Sequence, residues 1–141
     1  MELTVLASGS KGNCSYLRGE RGALLVDAGL SAREILRRLS NAGADASVIE
    51  GILVTHEHID HIRGVDVLAR KLGVPIYATG GTLEAFNEKC GPMPGGRLRK
   101  KRLTSAPTSP CQEPSVVLIP SHQRMVSRIQ RLFLHNSPPR P

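Results

Sequence analysis

The sequence predicts an α/β domain over residues 1–91, followed by a basic, proline-rich tail over residues 92–141. Short apolar segments alternate with segments of helical periodicity as far as about residue 90, which is typical of a sheet covered by helices. The 141 residues suffice for one domain with a core and are too few for two ordinary domains. Charge and proline content change abruptly after Gly91, and this change predicts the boundary.

Three strands are predicted at the start of the domain. Leu3–Ala7, Cys14–Arg18 and Gly22–Val26 are apolar or β-favouring, and turns that contain glycine separate them. Such short connections favour antiparallel pairing.

Helices and single strands alternate from Ser31 onward. Ser31 and Glu34 have the spacing of a capping box, and apolar residues recur at helical intervals until Asn41 and Gly43 end the first helix. The elements predicted after it are a buried strand at Gly51–Thr55, a helix at Val65–Leu72, a strand at Val74–Ala78, a helix at Thr82–Lys89 and, in the tail, a strand at Ser115–Pro120 and a basic helix at Met125–Leu134.

The two parts of the chain differ in charge. Residues 1–91 contain 10 Lys and Arg against 11 Asp and Glu, whereas residues 92–141 contain 9 basic residues and one acid, Glu113. Nine of the ten prolines also lie in the second part. Three interpretations of the tail stay open: a solvated extension, an arm that binds nucleic acid through Lys and Arg, or the product of a shifted reading frame.

Composition excludes several classes of protein. Aromatic residues make up 3% of the chain, which argues against binding of single-stranded nucleic acid by base stacking. No stretch approaches the roughly eighteen apolar residues of a transmembrane helix, and the first residues lack a secretory signal, so we expect no membrane contact. The three cysteines are few and widely spaced, which argues against a disulfide framework and predicts a cytoplasmic protein.

The most informative motif is His56-x-His58-x-Asp60-His61, directly after the predicted buried strand. Imidazole and carboxylate groups are ligands of zinc, iron and manganese. His56 and His58 lie two residues apart, so both side chains can point the same way from extended backbone, whereas Asp60 and His61 need a tight turn. A polar, histidine-rich surface loop is the alternative interpretation, but four potential ligands at a strand end favour a metal site.

This motif, which follows Ile52-Leu-Val-Thr55, resembles the signature of hydrolases with the metallo-β-lactamase fold. Leu24-Leu-Val-Asp-Ala-Gly29 is similar to an earlier strand of that family, which ends in Asp. The opening, Leu6–Cys14, is similar to that of a narrower group of cytoplasmic bacterial phosphodiesterases and nucleases, which includes DNA exonucleases of the YycJ/WalJ type. The resemblance covers residues 1 to about 90.

The resemblance implies that residues 1–91 form the N-terminal half of a four-layer αββα sandwich with two divalent metals at its edge, most commonly zinc and in some members manganese or iron. His56 and His58 would bind the first metal, and Asp60 and His61 the second. Asp60 would also be catalytic, because it would orient a metal-activated hydroxide. Asp27 would brace the histidine loop, the alternative being a turn cap, and Ser8–Asn13 is either a substrate-contacting loop or only a tight turn.

The chain departs from the family pattern beyond the motif. A complete two-metal site takes a further His, a bridging Asp and a final His, but no Asp follows Asp66. His122 follows a predicted strand and is a candidate for the next ligand, the alternative being an incidental histidine. Without the family's second half, the strands at Gly22–Val26 and Gly51–Thr55 would expose apolar surface, so we expect oligomerisation or aggregation.

Three functional hypotheses follow from these observations. The first is a metal-dependent hydrolase that acts on a phosphodiester or nucleic-acid substrate. The second is a truncated or frameshifted member of the family without catalysis. The third is a nucleic-acid-binding module that uses its basic tail.

Overall fold

The computed structural model describes residues 1–90 and 116–119. The elements in chain order are β1 (Glu2–Ala7), β2 (Cys14–Arg18), β3 (Ala23–Val26), α1 (Ala32–Asn41), β4 (Ile49–Leu53), α2 (Ile59–Ile62), α3 (Val65–Leu72), β5 (Ile76–Thr79), α4 (Gly80–Cys90) and β6 (Val116–Ile119), with a short 3-10 turn at Ala46–Val48 before β4. The remainder of the predicted tail, including His122 and the helix predicted at Met125–Leu134, lies outside the described residues.

The six strands form one mixed sheet in the order β1-β2-β3-β4-β5-β6. β1, β2 and β3 pair antiparallel, whereas β3, β4, β5 and β6 pair parallel. This arrangement confirms the prediction of three antiparallel strands followed by single strands that alternate with helices. Because parallel neighbours share one direction, the carboxyl ends of β3, β4 and β5 lie at the same edge of the sheet.

The main core lies between the sheet and its helices. The register aligns Tyr16, Leu25, Ile52 and Ile76 across β2 to β5, and each of these side chains is buried. The buried helical side chains in the same cluster are Ala32, Ile35 and Leu39 from α1, Ile62 from α2, Val65, Leu68 and Ala69 from α3 and Phe86 from α4. Apolar residues at helical spacing therefore cover a sheet that is apolar on this face.

On the opposite face of the sheet, the structure contradicts the expectation that two strands expose apolar surface. Leu24 and Leu53 are buried rather than exposed, although they belong to the two strands predicted to expose apolar surface. Gly51 explains part of this burial, because the Tyr77 ring occupies the space where a side chain at Gly51 would lie, beside Leu24. Among the strands whose side chains are described, β1 to β5, the large apolar side chains that are exposed lie on β1, where Leu3 is 63% exposed and Val5 is 60% exposed.

The local signals for α1 act as predicted. Ser31 is the N-cap, and its hydroxyl accepts a hydrogen bond from the Glu34 N–H at 3.3 Å. The Glu34 carboxylate pairs with Arg37 and Arg38 on the helix surface. α3 has the predicted bounds, and the strand after it begins later than predicted because the Val74 N–H bonds back to the Ala69 carbonyl.

One helix was missed in the sequence. The polar stretch that carries the histidine motif contains a short helix, α2, whose N-cap is His58. The His61 N–H bonds to the His58 carbonyl at 2.8 Å, which gives the tight turn that Asp60 and His61 need. None of the helices in the described ranges is long and apolar enough to cross a membrane.

Candidate metal centre

Three segments meet at one edge of the sheet. Asp27 directly follows β3, the histidine motif follows β4, and Asn13 directly precedes β2, which runs in the opposite direction. The carboxyl ends of parallel strands carry ligand sites in many α/β proteins, because side chains there leave the core and converge. The fold therefore brings residues that are up to 48 positions apart in the sequence into contact.

The imidazole rings of the motif lie close together. The centroids of His56 and His61 are 3.9 Å apart, and those of His56 and His58 are 4.6 Å apart. Asp60 Oδ2 is 3.5 Å from His61 Nε2. The four residues predicted to bind metal thus form one group. Within it His58 is exposed, whereas His56, Asp60 and His61 are partly buried.

Asp27 lies beneath this group and adopts a left-handed backbone conformation, with φ of +60°. Such a conformation costs a residue with a Cβ about 1–2 kcal/mol, and Asp tolerates it better than most. Hydrogen bonds hold Asp27 there, from its own N–H to the Leu53 carbonyl at 2.7 Å and from the Thr55 N–H to its Oδ1 at 2.8 Å. The backbone strain is therefore offset by a carboxylate fixed in one orientation.

Asp27 determines which nitrogen of His61 carries the proton. Its Oδ2 is 2.8 Å from His61 Nδ1, and a carboxylate can only accept a hydrogen bond. We therefore assign the proton of neutral His61 to Nδ1, which leaves a lone pair on Nε2. A carboxylate that binds the far nitrogen of a metal-ligating imidazole is the usual support of such ligands.

Thr55 extends the same effect to His56. The Thr55 hydroxyl lies 2.8 Å from Asp27 Oδ2 and 3.0 Å from His56 Nδ1. Its single hydrogen goes to the carboxylate, so the hydroxyl oxygen accepts from the His56 Nδ1–H. His56 consequently also keeps its lone pair on Nε2, and one carboxylate sets the tautomers of two rings.

Asn13 contacts the group from the opposite side. Its Nδ2 lies 3.0 Å from Asp60 Oδ2 and 3.1 Å from His61 Nε2. The backbones of the two residues are also joined, because the Asn13 N–H donates to the Asp60 carbonyl at 2.7 Å. Gly29 permits this approach, since a Cβ there would collide with the Asp60 carbonyl and lie 2.7 Å from the Asn13 nitrogen.

The donor set fits a divalent metal in its chemistry. Imidazole nitrogens with free lone pairs and a carboxylate are the ligands that zinc, iron and manganese take in proteins. As placed within residues 1–90 and 116–119, however, no three His, Cys, Asp or Glu side chains are arranged so that they could hold one ion together. The Asn13 amide contacts two of the predicted ligands, Asp60 and His61. These two side chains are therefore adjacent, but they are hydrogen-bonded to Asn13 rather than arranged around a space for an ion.

Cys14 is next to Asn13 in the chain and is not available as a ligand. It is 1% exposed, and its burial, together with the charge of Asp27, raises the pKa of its thiol to about 12. The thiolate is the form that binds metal, so Cys14 acts as a small apolar core residue.

The structure brings together His56, His58, Asp60, His61 and Asp27, while His122 lies outside the described residues. The roles of His56, His58, Asp60, His61 and His122 as metal ligands, and of Asp27 as their support, remain predictions. Sequence reasoning missed the contacts of Thr55 and Asn13 with this group. The sequence signal for Asn13 is its place at the end of the glycine-rich turn Ser8–Asn13, whereas the pattern around Thr55 indicates only the end of a strand.

A mixed sheet with helices on one face and a histidine loop at its carboxyl edge defines a known class of fold. The family described as the Metallo-beta-lactamase superfamily matches residues 7–120, so this chain belongs to that superfamily. The S60 mutant of a metallo-beta-lactamase from Cronobacter sakazakii with a HARLDQ motif is similar over 86% of this chain and 43% of its own, with a TM-score of 0.57 and 22% identity. This likeness shows the fold alone.

Two curated relatives are more similar in sequence. The exodeoxyribonuclease YycJ of Bacillus anthracis is 45% identical over 94 residues, which are 67% of this chain and 36% of the relative. The exodeoxyribonuclease WalJ of Streptococcus pneumoniae serotype 2 is 49% identical over 83 residues, which are 59% of this chain and 31% of the relative. The chain thus spans about a third of the length of these relatives.

Proposed function

We propose that this chain carries the main ligand loop of a metal-dependent hydrolase that cleaves phosphodiester bonds, with nucleic acid as the substrate. The observation that carries the proposal is the pair of imidazoles, His56 and His61, whose Nδ1 atoms are engaged by Thr55 and Asp27 beside the Asp60 carboxylate. Nucleic acid as the substrate is supported by the similarity to two exodeoxyribonucleases.

The residues divide into three tasks. His56 and His58 would bind one divalent metal through nitrogen lone pairs, and His61 and Asp60 would bind a second. A bound divalent metal supplies a water activated at neutral pH and offsets charge on a phosphoryl oxygen. Asp60 has acceptor capacity beyond its contact with Asn13, and this capacity would orient the attacking water.

A catalytically inactive member of the superfamily is the second candidate. The observation in its favour is that the chain spans only about a third of the length of its curated relatives. Such a protein would bind metal through the histidine loop but would hydrolyse no substrate.

The test uses the full 141-residue chain. We would measure metal content by elemental analysis after loading with zinc or manganese, and hydrolysis of bis-p-nitrophenyl phosphate and of short DNA. The variant His61→Ala removes a proposed ligand, and His135→Ala is the matched control because this histidine is outside the motif. We expect retained metal and chelator-sensitive hydrolysis in the wild type and in His135→Ala, with both lost in His61→Ala.

The other outcomes separate the two candidates. Metal retained without hydrolysis of either substrate would contradict the hydrolase and support the inactive member. No retained metal, or equal retention in His61→Ala, would contradict both.

A further inference from the structure

Asn13 is the least expected member of the polar group at the sheet edge. We propose that it is a positioning residue for a bound divalent cation. Its side-chain amide holds the Asp60 carboxylate in place and occupies the space beside His61 Nε2 until the cation binds. This inference rests on the proposed function, because it assigns a task at the same site.

The orientation of the Asn13 amide is fixed by Gly9. The Gly9 N–H donates to Asn13 Oδ1 at 3.0 Å, and Asn13 Nδ2 lies 3.1 Å from the Gly9 carbonyl. The reversed amide would place its NH₂ group against the Gly9 N–H and its oxygen against the carbonyl. Since both contacts select one orientation, the NH₂ group of Asn13 faces the site.

This NH₂ group has fewer hydrogens to donate than there are acceptors around it. Nδ2 carries two hydrogens but lies 3.0–3.1 Å from three acceptors, the Gly9 carbonyl, Asp60 Oδ2 and His61 Nε2. One acceptor is therefore incompletely satisfied at any moment. A cation at His61 Nε2 would take over that acceptor, and the amide would keep one hydrogen each for Gly9 and Asp60.

The backbone holds Asn13 against the same partners. The Asn13 N–H donates to the Asp60 carbonyl at 2.7 Å, and the Asn13 carbonyl accepts from the Gly29 N–H at 2.9 Å. Asn13 and Asp60 are thus joined through both the backbone and the side chain. Asp60 is therefore already held in place before the metal binds, and only the contact of the amide with His61 Nε2 has to change.

The decisive experiment is a Zn²⁺ titration of the full chain against a chromophoric chelator. Loss of a residue that supports a metal ligand weakens metal binding by about 10–100-fold, and we expect a loss of this size for Asn13→Ala. Asn41→Ala is the matched control, because it makes the same chemical change at an exposed position of α1. We expect its affinity to equal that of the wild type.

A purely structural role of Asn13 predicts a different result. Asn13→Ala would then lower the stability of the metal-free chain to denaturant, while the folded molecules would bind Zn²⁺ as the wild type does. Equal affinities of Asn13→Ala and the wild type would therefore overturn the inference but leave the proposed function intact. A wild type that binds no Zn²⁺ would overturn both.

A second measurement avoids the variant and decides the matter if Asn13→Ala does not fold. The side-chain NH₂ signals of Asn13 and Asn41 can be followed by ¹⁵N NMR in the wild type as Zn²⁺ is added. We expect the Asn13 signals to shift, because the amide leaves His61 Nε2, and those of Asn41 to stay. Equal behaviour of the two amides in a chain that binds Zn²⁺ would contradict the inference.

Discussion

Two polar clusters in this molecule differ in how water can reach them. On the surface of α1, Glu34 pairs with Arg37 and Arg38 at 2.8 Å, and the Arg37 side chain is 61% exposed. At the sheet edge, Asp27 pairs with His61 at the same distance, but their side chains are only 7% and 18% exposed. Water can replace any partner in the first cluster, whereas the second depends on the partners that the fold provides.

The clusters also differ in how completely their groups are satisfied. The Glu34 carboxylate has two guanidinium partners, and Arg38 additionally donates to the Leu6 carbonyl at 2.7 Å. At the sheet edge, the nitrogen lone pairs of His56 and His61 are turned away from Thr55 and Asp27. The exposed ion cluster thus contributes a little stability. The half-buried cluster presents imidazole lone pairs that face away from Thr55 and Asp27, which suits it to binding a cation.

The largest effect is expected for Asp27→Asn. Asn keeps the shape and tolerates the left-handed backbone, but its one oxygen cannot replace both Oδ1, which accepts from the Thr55 N–H, and Oδ2, which accepts from the Thr55 hydroxyl and His61. We expect Zn²⁺ affinity to fall by about 10–100-fold in the chelator titration, since the charged carboxylate that supports two rings is lost. Asp45→Asn, which changes the exposed N-cap of the 3-10 turn, is the control. An equal loss in both variants would contradict this assignment.

A smaller effect is expected for Thr55→Val. Valine keeps the shape but removes the hydroxyl that joins Asp27 to His56, whereas His61 keeps its own bond to Asp27. We expect a loss of Zn²⁺ affinity smaller than that of Asp27→Asn, and a stability cost of about 0.5–1.5 kcal/mol in denaturant unfolding. Thr4→Val on β1 is the control. A greater loss of affinity than in Asp27→Asn would show that His56 does not depend on Asp27 through Thr55.

The smallest effect is expected in the exposed cluster, with Glu34→Gln. Hydrogen bonds from Arg37 and Arg38 lower the pKa of Glu34 from 4.5 to about 2. A lowered pKa in the folded state gives stability that is present above the unfolded value and is lost as the pH falls from 4.5 toward 2. We therefore expect Glu34→Gln to lower the unfolding midpoint slightly at neutral pH, less than Thr55→Val does.

Salt and acid sharpen the Glu34 prediction. Because this cluster is exposed, high salt is expected to remove most of the difference between Glu34→Gln and the wild type. Acid is expected to remove it as well, since both side chains are then neutral. A difference that persists in high salt and at low pH would mean that Glu34 acts through packing rather than charge.

Much of the fold was predictable because its signals are local. Ser31 places the start of α1, and the apolar periodicity of α3 gives its bounds. The prediction that the strands at Gly22–Val26 and Gly51–Thr55 expose apolar surface was wrong at Leu24 and Leu53, because the pattern of a strand does not show which side chain lies across it. Tyr77, which belongs to the next strand of the sheet, β5, covers Gly51 on that face.

The candidate site was predictable in part for the same reason. His56, His58, Asp60 and His61 are close in the sequence, so their spacing alone indicates a shared chemistry. Asn13 and Thr55 contribute through hydrogen bonds to residues that are distant in the sequence, such as Asp60 and Asp27, and a sequence pattern carries no record of such bonds. The residues that support the predicted ligands were therefore harder to find than the ligands.

The sequence by itself determined the order of the strands and of the helices other than α2, the residue types of the predicted metal ligands and the superfamily. These depend on periodicity, capping and short spacing, which act within a few residues. Only the tertiary structure decided that Asp27 serves two histidines through Thr55 and that Asn13 faces Asp60. The physical reason is that hydrogen-bond partners are chosen by the convergence of chain segments at the sheet edge, and that convergence exists only once the strands have paired.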